Sequence, residues 1–418
     1  MNKTNTKPFI IGKELVMKAY ELVKANKGAA GVDQESLEGF DKNLEDNLYK
    51  IWNRLSSGSY FPPAVKAVSI PKKSGGVRIL GVPTVGDRIA QMVVKLVLEP
   101  EVEPFFHPDS YGYRPNKSAL DAVGITRQRC WKYDWVLEFD IKGLFDNIDH
   151  ELLMKAVRHH TDNKWVLLYI ERWLKAPMEM EDGTQVQRGR GTPQGGVISP
   201  ILSNLFLHYT FDLWMTRNYP KVEWCRYADD GLVHCRTEQE AKELLQKLNE
   251  RFKECGLELH PEKTKIIYCK DSNRKGDYHN TKFTFLGYDF RRREAYNAKT
   301  KKSFATFSPA ISNEAGKSIR EKIRKMRIRK RTTWSLESIA EILNPMIRGW
   351  IQYYGRHNLW ALRTIVIRYI HQTLMRWAMR KYKKLKGKKT RAGEFLEKIY
   401  KKKPNLFVHW KTFAPGSV

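Results

Sequence analysis

The segment Tyr-Ala-Asp-Asp at residues 227–230 stands between two short apolar runs, residues 222–225 and 231–233. Two such runs around a short acidic turn predict a β-hairpin. The turn places two carboxylates side by side, where they repel each other unless a cation lies between them. Mg²⁺ prefers oxygen ligands and is often shared between carboxylates and substrate phosphates. Because Asp-Asp is also ordinary turn chemistry, the hairpin alone is compatible with a metal site and with a plain turn.

A third carboxylate, Asp140, ends an apolar run of strand-like composition, residues 135–141. An acid at the end of a buried strand is costly to desolvate unless it has a partner, which a metal ion would provide. The alternative is an aspartate that caps the next turn. Between Asp140 and the hairpin lies Gly-Thr-Pro-Gln-Gly-Gly, residues 191–196. Its glycines would let the backbone approach a ligand closely, and Gln194 could hydrogen-bond that ligand.

Taken in order, these three segments resemble the palm of a reverse transcriptase. The resemblance is closer still to the reverse transcriptase/maturases encoded within bacterial group II introns, and it runs from about Lys27 to about Lys384. Each motif is weak alone, but eight or more in this order are a strong signal. The further matching segments are residues 26–33 (Asn-Lys-Gly-Ala-Ala-Gly-Val-Asp), 70–78 (Ile-Pro-Lys-Lys-Ser-Gly-Gly-Val-Arg), 80–84, 110–115, 261–264, 285–288 and 347–354.

The resemblance implies an α+β fold, a right-hand polymerase with fingers and palm and an α-helical thumb/maturase domain. The predicted parts are an N-terminal helical extension, fingers and palm, a helical thumb/maturase domain and a basic C-terminal tail, at residues 1–60, 61–290, 291–384 and 385–418. Strand signals stop beyond Ser308, and apolar residues then recur at helical spacing. Gly75-Gly76 predicts a hairpin turn. We expect Pro345 to kink its helix.

The resemblance also implies two-metal nucleotidyl transfer, in which two Mg²⁺ ions activate a primer 3′-hydroxyl and stabilise the leaving pyrophosphate. Asp140 and Asp229 would bridge both ions, Asp230 would assist, and the backbone carbonyl of Ile141 would be a further ligand. Lys263 is a candidate proton donor to pyrophosphate, although a plain surface lysine fits the sequence at least as well.

Other residues of the matching motifs are implied to contact substrates. Those assigned to the incoming nucleotide are Lys72, Arg78, Arg114, Phe145, Gln194 and Gly195. Lys72 and Arg78 would bind the triphosphate through charge-assisted contacts, and Gln194 would contact the nucleotide or the template. Phe145 matches the position of the family's sugar gate, but its apolar neighbours are equally compatible with a core residue. Tyr227 would pack at the primer end.

Positive charge is concentrated at one end of the chain. The 418 residues include 75 Lys and Arg against 46 Asp and Glu, a net charge of +29. Residues 291–418 account for +26 of this, whereas residues 1–290 carry only +3. A near-neutral core joined to a basic end predicts polyanion binding, and a face kept basic for solubility explains so large an excess poorly. The arginines that we predict to bind RNA lie opposite apolar helix faces: Arg324, Arg327, Arg348, Arg363, Arg376 and Arg380.

The remaining features limit the cellular setting. Five scattered cysteines without a Cys-x-x-Cys pair favour a reducing compartment and argue against disulfides or a zinc site. The sequence has neither a signal-peptide core nor an 18-residue apolar run, so we expect no membrane partner. We expect a bacterial cytoplasmic protein, with association with the nucleoid as an alternative. Its expected partners are an RNA template or intron RNA, a DNA primer or target, and deoxynucleoside triphosphates.

Many group II intron proteins carry a C-terminal metal-dependent nuclease. Only about thirty residues follow Lys384, without cysteine pairs or a His-Asn-His cluster. We therefore expect no nuclease of that type, and priming from an existing 3′ end such as a nascent strand at a replication fork.

Three functions are compatible with these motifs. The first is a reverse transcriptase that also helps its own intron RNA fold, splice and insert. The second is a free-standing reverse transcriptase recruited to phage defence or another host task, and the third is a splicing cofactor that only binds RNA. The intact Asp140, Asp229 and Asp230 favour an enzyme over a pure binder. The Arg-Gly-Trp segment at residues 348–350 resembles the maturase thumb and favours the first function over the second.

Overall fold

The structure, a computed structural model, describes residues 7–71 and 75–415, so Lys72 lies outside the described residues. The α-helices are, in chain order, α1 (Lys13–Asn26), α2 (Leu37–Asp41), α3 (Leu44–Ser57), α4 (Val85–Val102), α5 (Ala119–Lys132), α6 (Leu144–Asn147), α7 (His150–His160), α8 (Lys164–Lys175), α9 (Ser199–Leu207), α10 (Leu213–Asn218), α11 (Glu238–Glu254), α12 (Asn313–Lys325), α13 (Leu336–Tyr354), α14 (Leu359–Leu362), α15 (Arg368–Lys381) and α16 (Lys389–Lys402). The β-strands are β1 (Val65–Pro71), β2 (Val77–Val82), β3 (Trp135–Asp140), β4 (Met178–Glu179), β5 (Gln185–Val186), β6 (Glu223–Tyr227), β7 (Asp230–Cys235), β8 (Lys265–Tyr268), β9 (Lys282–Phe285), β10 (Tyr288–Asn297) and β11 (Lys302–Ile311). This mixture of helices and strands fits the predicted α+β class.

The chain divides into two compact units, each built from separate stretches of sequence. Within the described residues, the first unit comprises 7–71, 75–118, 137–233 and 239–265. The second comprises 119–136, 234–238 and 266–415. The domain boundaries predicted at residues 60, 290 and 384 stay predictions. Among the described helices, none is both long and apolar enough to cross a bilayer.

Two sheet regions position the functional segments of the first unit. Strands β1 and β2 pair antiparallel, with Pro71 opposite Val77, as the Gly75-Gly76 signal predicts. Strand β1 also pairs parallel with β4, which pairs antiparallel with β5. Strand β7 lies between β6 and β3, so the hairpin and the strand that ends at Asp140 are neighbours.

A buried helix forms the centre of this unit's core. Helix α4 begins after Thr84, whose hydroxyl accepts a hydrogen bond from the Asp87 backbone N–H at 3.1 Å, as an N-cap does. Its buried residues are spread over most of its circumference and include Ile89, Val93 and Leu98. Such burial on most sides is expected of a helix inside a core rather than at a surface, and its buried polar residues Asp87, Arg88 and Gln91 then need partners.

The second unit combines a strand hairpin with a helical bundle. Strands β10 and β11 pair antiparallel from Tyr288 opposite Ile311 to Asn297 opposite Lys302. Most of residues 291–311 is therefore strand, as the strand signals up to Ser308 predict, whereas the helical domain was predicted to begin at residue 291; the helices begin at Asn313. Alternation explains the difference, because Ala305 and Phe307 are buried while their neighbours are less so. Helix α13 runs unbroken through Pro345.

The basic segment predicted as a C-terminal tail is folded as far as the structure describes it. Helix α16 and the residues after it contribute Leu396, Phe407 and Trp410 to the apolar core of the second unit. These three side chains are at most 1% exposed. The many lysines of this segment make its overall composition look like that of a basic tail. Burial of these three apolar side chains nevertheless stabilises a folded structure.

Candidate active site

The Tyr-Ala-Asp-Asp segment forms the predicted β-hairpin. Strand β6 ends at Tyr227 and β7 begins at Asp230, so Ala228 and Asp229 make the turn. Ala228 has a φ of 56°, in the left-handed region that residues with a side chain rarely adopt. A Cβ at Gly231 would lie 2.1 Å from the Phe139 ring. Glycine at that position therefore lets β7 lie against β3.

Asp140, at the end of β3, meets the hairpin and a distant lysine. The Ile141 backbone N–H donates to the Asp229 carbonyl at 3.4 Å. The Lys263 ammonium donates to Asp140 Oδ2 at 2.9 Å, and the His260 backbone N–H donates to the Asp140 carbonyl at 2.8 Å. Four of the predicted catalytic and metal-binding residues, Asp140, Ile141, Asp229 and Lys263, are thus brought together.

Burial and the charges of neighbouring acids raise the pKa values of Asp229 and Asp230. Burial is the main cause that raises the pKa of Asp230 to about 7, with further contributions from Asp229 and Asp140 and an opposing one from Lys263. The pKa of Asp229 is also raised, by burial first and by the Asp140 charge, against the lowering effects of a backbone hydrogen bond, Lys263 and Arg78. All three carboxylates therefore share one electrostatic site.

The donor set is chemically suited to a hard divalent cation. Every side chain in it offers carboxylate oxygen, the ligand type that Mg²⁺ prefers, and a cation would relieve the repulsion between the acids. Lys263 already supplies one positive charge to Asp140. In the part of the chain that the structure describes, however, no group of three or more His, Cys, Asp or Glu side chains is gathered around a metal position. The number and identity of the ions stay a prediction.

The Gly-Thr-Pro-Gln-Gly-Gly loop is fixed against two neighbouring segments. The Thr192 backbone N–H donates to the Phe145 carbonyl at 2.7 Å, and the Gly81 backbone N–H donates to the Gln194 carbonyl at 2.8 Å. A Cβ at Gly195 would lie 2.6 Å from the Gly81 carbonyl oxygen, and Gly195 has a φ of +120°. Glycine is therefore required there, and the loop is held beside β2 and α6.

The other predicted contacts have distinct surroundings. Arg78 is exposed on β2, and its charge lowers the pKa of Asp229, which places it in the electrostatic site. Phe145 is half-buried, and its ring centroid lies 6.5 Å from that of Tyr113. Sequence reasoning missed Tyr113, whose pKa is raised by burial and by Asp229. Tyr227 is half-buried at the end of β6.

Arg114, which we predicted to bind the nucleotide, is engaged within the first unit instead. Its Nε and Nη2 donate to Glu103 Oε1 at 2.9 and 2.7 Å. Its Nη1 donates to the His107 and Ser110 carbonyls, each at 2.7 Å, and the side chain is only 6% exposed. A triphosphate could reach this guanidinium only by breaking a partly buried ion pair. The contacts of Arg114 hold this segment in place, and its binding of the nucleotide stays a prediction.

A buried ion pair that sequence reasoning missed anchors the hairpin. Arg226 and Asp212 are both 0% exposed, and two guanidinium nitrogens donate to the two carboxylate oxygens at 2.8 and 2.7 Å. Arg226 also donates to Ser110 Oγ at 2.7 Å and to the Ala228 carbonyl at 3.1 Å. The sequence signal was an arginine within an apolar strand directly before the Tyr-Ala-Asp-Asp residues, because a buried charge needs a partner.

A second buried polar network, also missed, supports the loop. The Asp87 carboxylate accepts hydrogen bonds from Tyr60 Oη and Trp173 Nε1, each at 2.7 Å, and from Gln91 Nε2 at 3.0 Å. Gln91 Oε1 in turn accepts from the Val197 backbone N–H at 2.8 Å. A single helix, α4, thereby fixes the chain that follows the loop.

The predicted RNA-binding arginines all lie in the second unit. Arg324, Arg327 and Arg376 line one cavity. Arg348 and Arg380 are exposed and Arg363 is half-buried. None of these placements by itself tests RNA binding.

Comparison with known proteins identifies the family. The profile of the reverse transcriptase (RNA-dependent DNA polymerase) family matches residues 70–290. The chain belongs to the reverse transcriptase family. The profile of the group II intron, maturase-specific domain matches residues 316–394 of this reverse transcriptase. The predicted reverse transcriptase/maturase is thereby confirmed.

Individual relatives agree with this assignment. This reverse transcriptase is 31% identical to protein YkfC of Escherichia coli over 329 residues, which cover 68% of this chain and 82% of YkfC. It is 34% identical to the group II intron-encoded protein LtrA of Lactococcus lactis over 203 residues, covering 48% of this chain and 33% of LtrA. A putative COX1/OXI3 intron 1 protein of Saccharomyces cerevisiae is 26% identical over 329 residues, covering 66% of this chain and 38% of that protein. The chain therefore spans only about a third of the length of LtrA and of the yeast protein.

Proposed function

We propose that this reverse transcriptase acts for a group II intron, copying RNA into DNA in its first unit and binding intron RNA through its second unit to assist splicing and retrohoming. The observation that carries the proposal is the meeting of Asp140, Asp229 and Asp230 in one electrostatic site. In a right-hand polymerase layout, the first unit would supply fingers and palm and the second unit the thumb. The match to the maturase-specific domain favours this role over a free-standing enzyme recruited to phage defence.

Each residue of the site has a chemical task in this proposal. Asp140, Asp229, Asp230 and the Ile141 carbonyl would hold Mg²⁺, which when bound lowers the pKa of a hydroxyl and stabilises phosphoryl charge. Lys263, whose ammonium donates to Asp140, would give a proton to a leaving phosphate. Arg78 offers an exposed cation to the triphosphate. The loop presents Gln194, whose backbone carbonyl is fixed by Gly81.

The proposal is tested by primer extension. The full chain, with Mg²⁺ and deoxynucleoside triphosphates, should extend a DNA primer on an RNA template to the template's end. Binding of the primer–template without extension, in any divalent cation, would point to the alternative of an RNA-binding splicing cofactor. Omitting the RNA template, the DNA primer or the deoxynucleoside triphosphates one at a time would test whether each is a substrate of the reaction. Fractionation of the source cell would test the expected cytoplasmic or nucleoid location.

Phe145 provides a prediction about sugar selection. If the half-buried ring lies under the sugar of the incoming nucleotide, Phe145→Ala should admit the 2′-hydroxyl that the ring excludes. We expect the ratio of kcat/KM for deoxynucleotide over ribonucleotide to fall at least about tenfold, while deoxynucleotide use drops only modestly. Steady-state kinetics with both nucleotides on one template measure the ratio.

The matched control is Phe105→Ala, because Phe105 is 60% exposed and its ring packs on His160 rather than near the loop. This variant should leave the ratio unchanged. If Phe145→Ala lowers activity on both nucleotides equally and lowers stability, Phe145 is packing only, and a loss near 3 kcal/mol would be typical of a core phenylalanine.

The charge of the second unit provides a prediction about RNA affinity. Phosphate neutralisation releases counterions, so affinity should fall steeply with salt, about a thousandfold between 50 and 200 mM if six or more phosphates are contacted. Fluorescence anisotropy of labelled intron RNA across a salt titration measures the slope. A flat titration would exclude binding by the basic surface. Substitutions are better than truncation after Phe290 for locating the contacts, because the second unit also contains residues 119–136 and 266–290.

A further inference from the structure

One cavity of the second unit has a wall rich in arginine. Its volume is about 180 Å³, and half of its lining residues are arginines, namely Arg324, Arg327, Arg329 and Arg376. All four are exposed. They come from different places in the chain: the last turn of α12, the 3₁₀ segment Ile328–Lys330 with the residue before it, and α15. The tertiary structure, and not a local run of sequence, gathers these charges around one space.

The four guanidinium groups are uncompensated. Within residues 7–71 and 75–415, none of them forms an ion pair or a side-chain hydrogen bond with the protein, and no acidic residue lines the cavity. Like charges around one space repel one another. An anionic group bound in the cavity would attract all four guanidinium groups and offset their mutual repulsion. Arginine is well suited to phosphate because its planar set of N–H donors matches the spacing of phosphate oxygens.

Stabilisation of a helix end does not account for this arrangement. Basic side chains near a helix C-terminus interact favourably with the helix dipole, which explains Arg324 in the last turn of α12. It does not explain Arg376, which lies within α15 ahead of its last turn. Arg327 has a φ of 51°, an unfavourable conformation for a residue with a side chain. This residue lies in the link between α12 and the 3₁₀ segment Ile328–Lys330, and Arg327, Arg329 and Arg324 all line the same cavity.

The buried part of the cavity wall is apolar and aromatic. Ile323 and Ile328 are each 1% exposed, and Tyr369 is half-buried beside them. Thr373, one helical turn beyond Tyr369, adds a hydroxyl. An inorganic phosphate would use only the arginines. A nucleoside phosphate would use both the arginines and the partly exposed Tyr369, with its base at the aromatic side chain and its phosphates at the arginines.

We propose that this cavity binds one unpaired nucleotide of an RNA strand. RNA is read mainly where bases are unpaired and can be splayed out against aromatic or guanidinium surfaces, since the bases of a duplex are stacked out of reach. The inference rests on the proposed RNA-binding function of the second unit, and it names the feature of RNA that the unit recognises. A free mononucleotide also carries a base and a phosphate. The test must therefore distinguish a nucleotide within an RNA strand from a free mononucleotide.

The test compares two RNA hairpins that differ only in one bulged nucleotide, bound to the full chain. Arg376→Gln should weaken binding of the bulged hairpin at least about tenfold, the effect of losing one charge-assisted contact with its positioned base. Binding of the fully paired hairpin should weaken by no more than about threefold. Arg348→Gln is the matched control, an exposed arginine of a helix in the same unit that does not line the cavity. It should affect both hairpins equally.

Two further measurements locate the nucleotide and its source. With 5-iodouridine at the bulge, irradiation should crosslink the RNA to a peptide of α15 that contains Tyr369. Adenosine monophosphate, which lacks the flanking phosphates, should not displace the bulged hairpin at about 1 mM. Displacement of that hairpin by micromolar adenosine monophosphate would make the cavity a mononucleotide site and overturn the proposal.

The remaining outcomes separate this inference from the proposed function. If the wild-type chain binds both hairpins but Arg376→Gln weakens them equally or not at all, the cavity is not a nucleotide site and general RNA binding stands. Crosslinking confined to other peptides would lead to the same conclusion. If the wild-type chain binds neither hairpin, the proposed RNA-binding function fails, and this inference fails with it.

Discussion

Replacing Asp229 by asparagine should abolish nearly all DNA synthesis while leaving RNA binding intact. The substitution removes one carboxylate from the group formed with Asp140 and Asp230, and metal-assisted charge stabilisation contributes several kcal/mol to phosphoryl transfer. At about 1.4 kcal/mol per factor of ten, the expected loss in rate is about a thousandfold or more. Single-turnover primer extension measures the rate, and anisotropy with labelled RNA measures binding.

Two controls separate loss of chemistry from loss of structure. The pKa of Asp229 is raised in the folded protein, so keeping this side chain ionised at a pH above that pKa destabilises the folded state. Asparagine carries no charge. Asp229→Asn should therefore melt at the same temperature as the wild type or at a higher one. Asp162→Asn, at an exposed position, should leave both rate and melting temperature unchanged. Synthesis by Asp229→Asn at a rate near the wild type would refute the assignment of the site.

Replacing Arg226 by methionine should destabilise the protein more than any surface substitution. It would leave the Asp212 carboxylate buried and unpaired, and breaking one side of such a pair costs about 3–5 kcal/mol. It would also remove the hydrogen bonds by which Arg226 holds the Ala228 carbonyl, in the hairpin turn, and Ser110 Oγ. We therefore expect reduced primer extension even at temperatures where the variant remains folded. Urea unfolding of the full chain measures the loss of stability.

The double variant Arg226→Met/Asp212→Leu distinguishes a pair effect from general disruption. Replacing both charges by apolar groups removes the unpaired carboxylate, so part of the lost stability should return. The surface comparison is Lys247→Met, which breaks an ion pair with Glu250 whose side chains are 55% and 49% exposed, and it should change stability by less than about 1 kcal/mol. Equal losses for Arg226→Met and Lys247→Met would show that the buried pair has no special role.

The sequence was sufficient for the features that local pattern encodes. The two apolar runs around Asp229 and Asp230 specify a hairpin because strand propensity and turn chemistry act over a few residues. Ile319 and Ile323 recur at helical spacing because the face of a helix repeats every three to four residues, and both are buried. The order of the motifs identified the family, which the comparisons confirm.

Local sequence pattern was insufficient where basic residues and buried apolar residues are mixed in one segment. The predicted helical thumb/maturase domain was set to begin at residue 291 although strand signals continue to Ser308, and β10 and β11 extend through most of residues 291–311. Residues 385–415 were assigned to a tail because lysines dominate the composition, although Leu396, Phe407 and Trp410 decide the fold by entering the core.

Only the tertiary structure decided which charged groups became partners. Lys263 pairs with Asp140 across 123 residues of sequence, and Arg226 pairs with Asp212 in the core. Arg114 and Arg78 were both predicted to bind the nucleotide, and in the structure Arg114 forms an ion pair with Glu103. Four arginines from separate segments line one cavity. The physical reason is that the energy of a charge depends on its desolvation and on the distance to its partner. Both quantities are fixed by packing between segments far apart in the chain, so the sequence by itself predicted which residues would carry the chemistry, and the fold determined what each of them contacts.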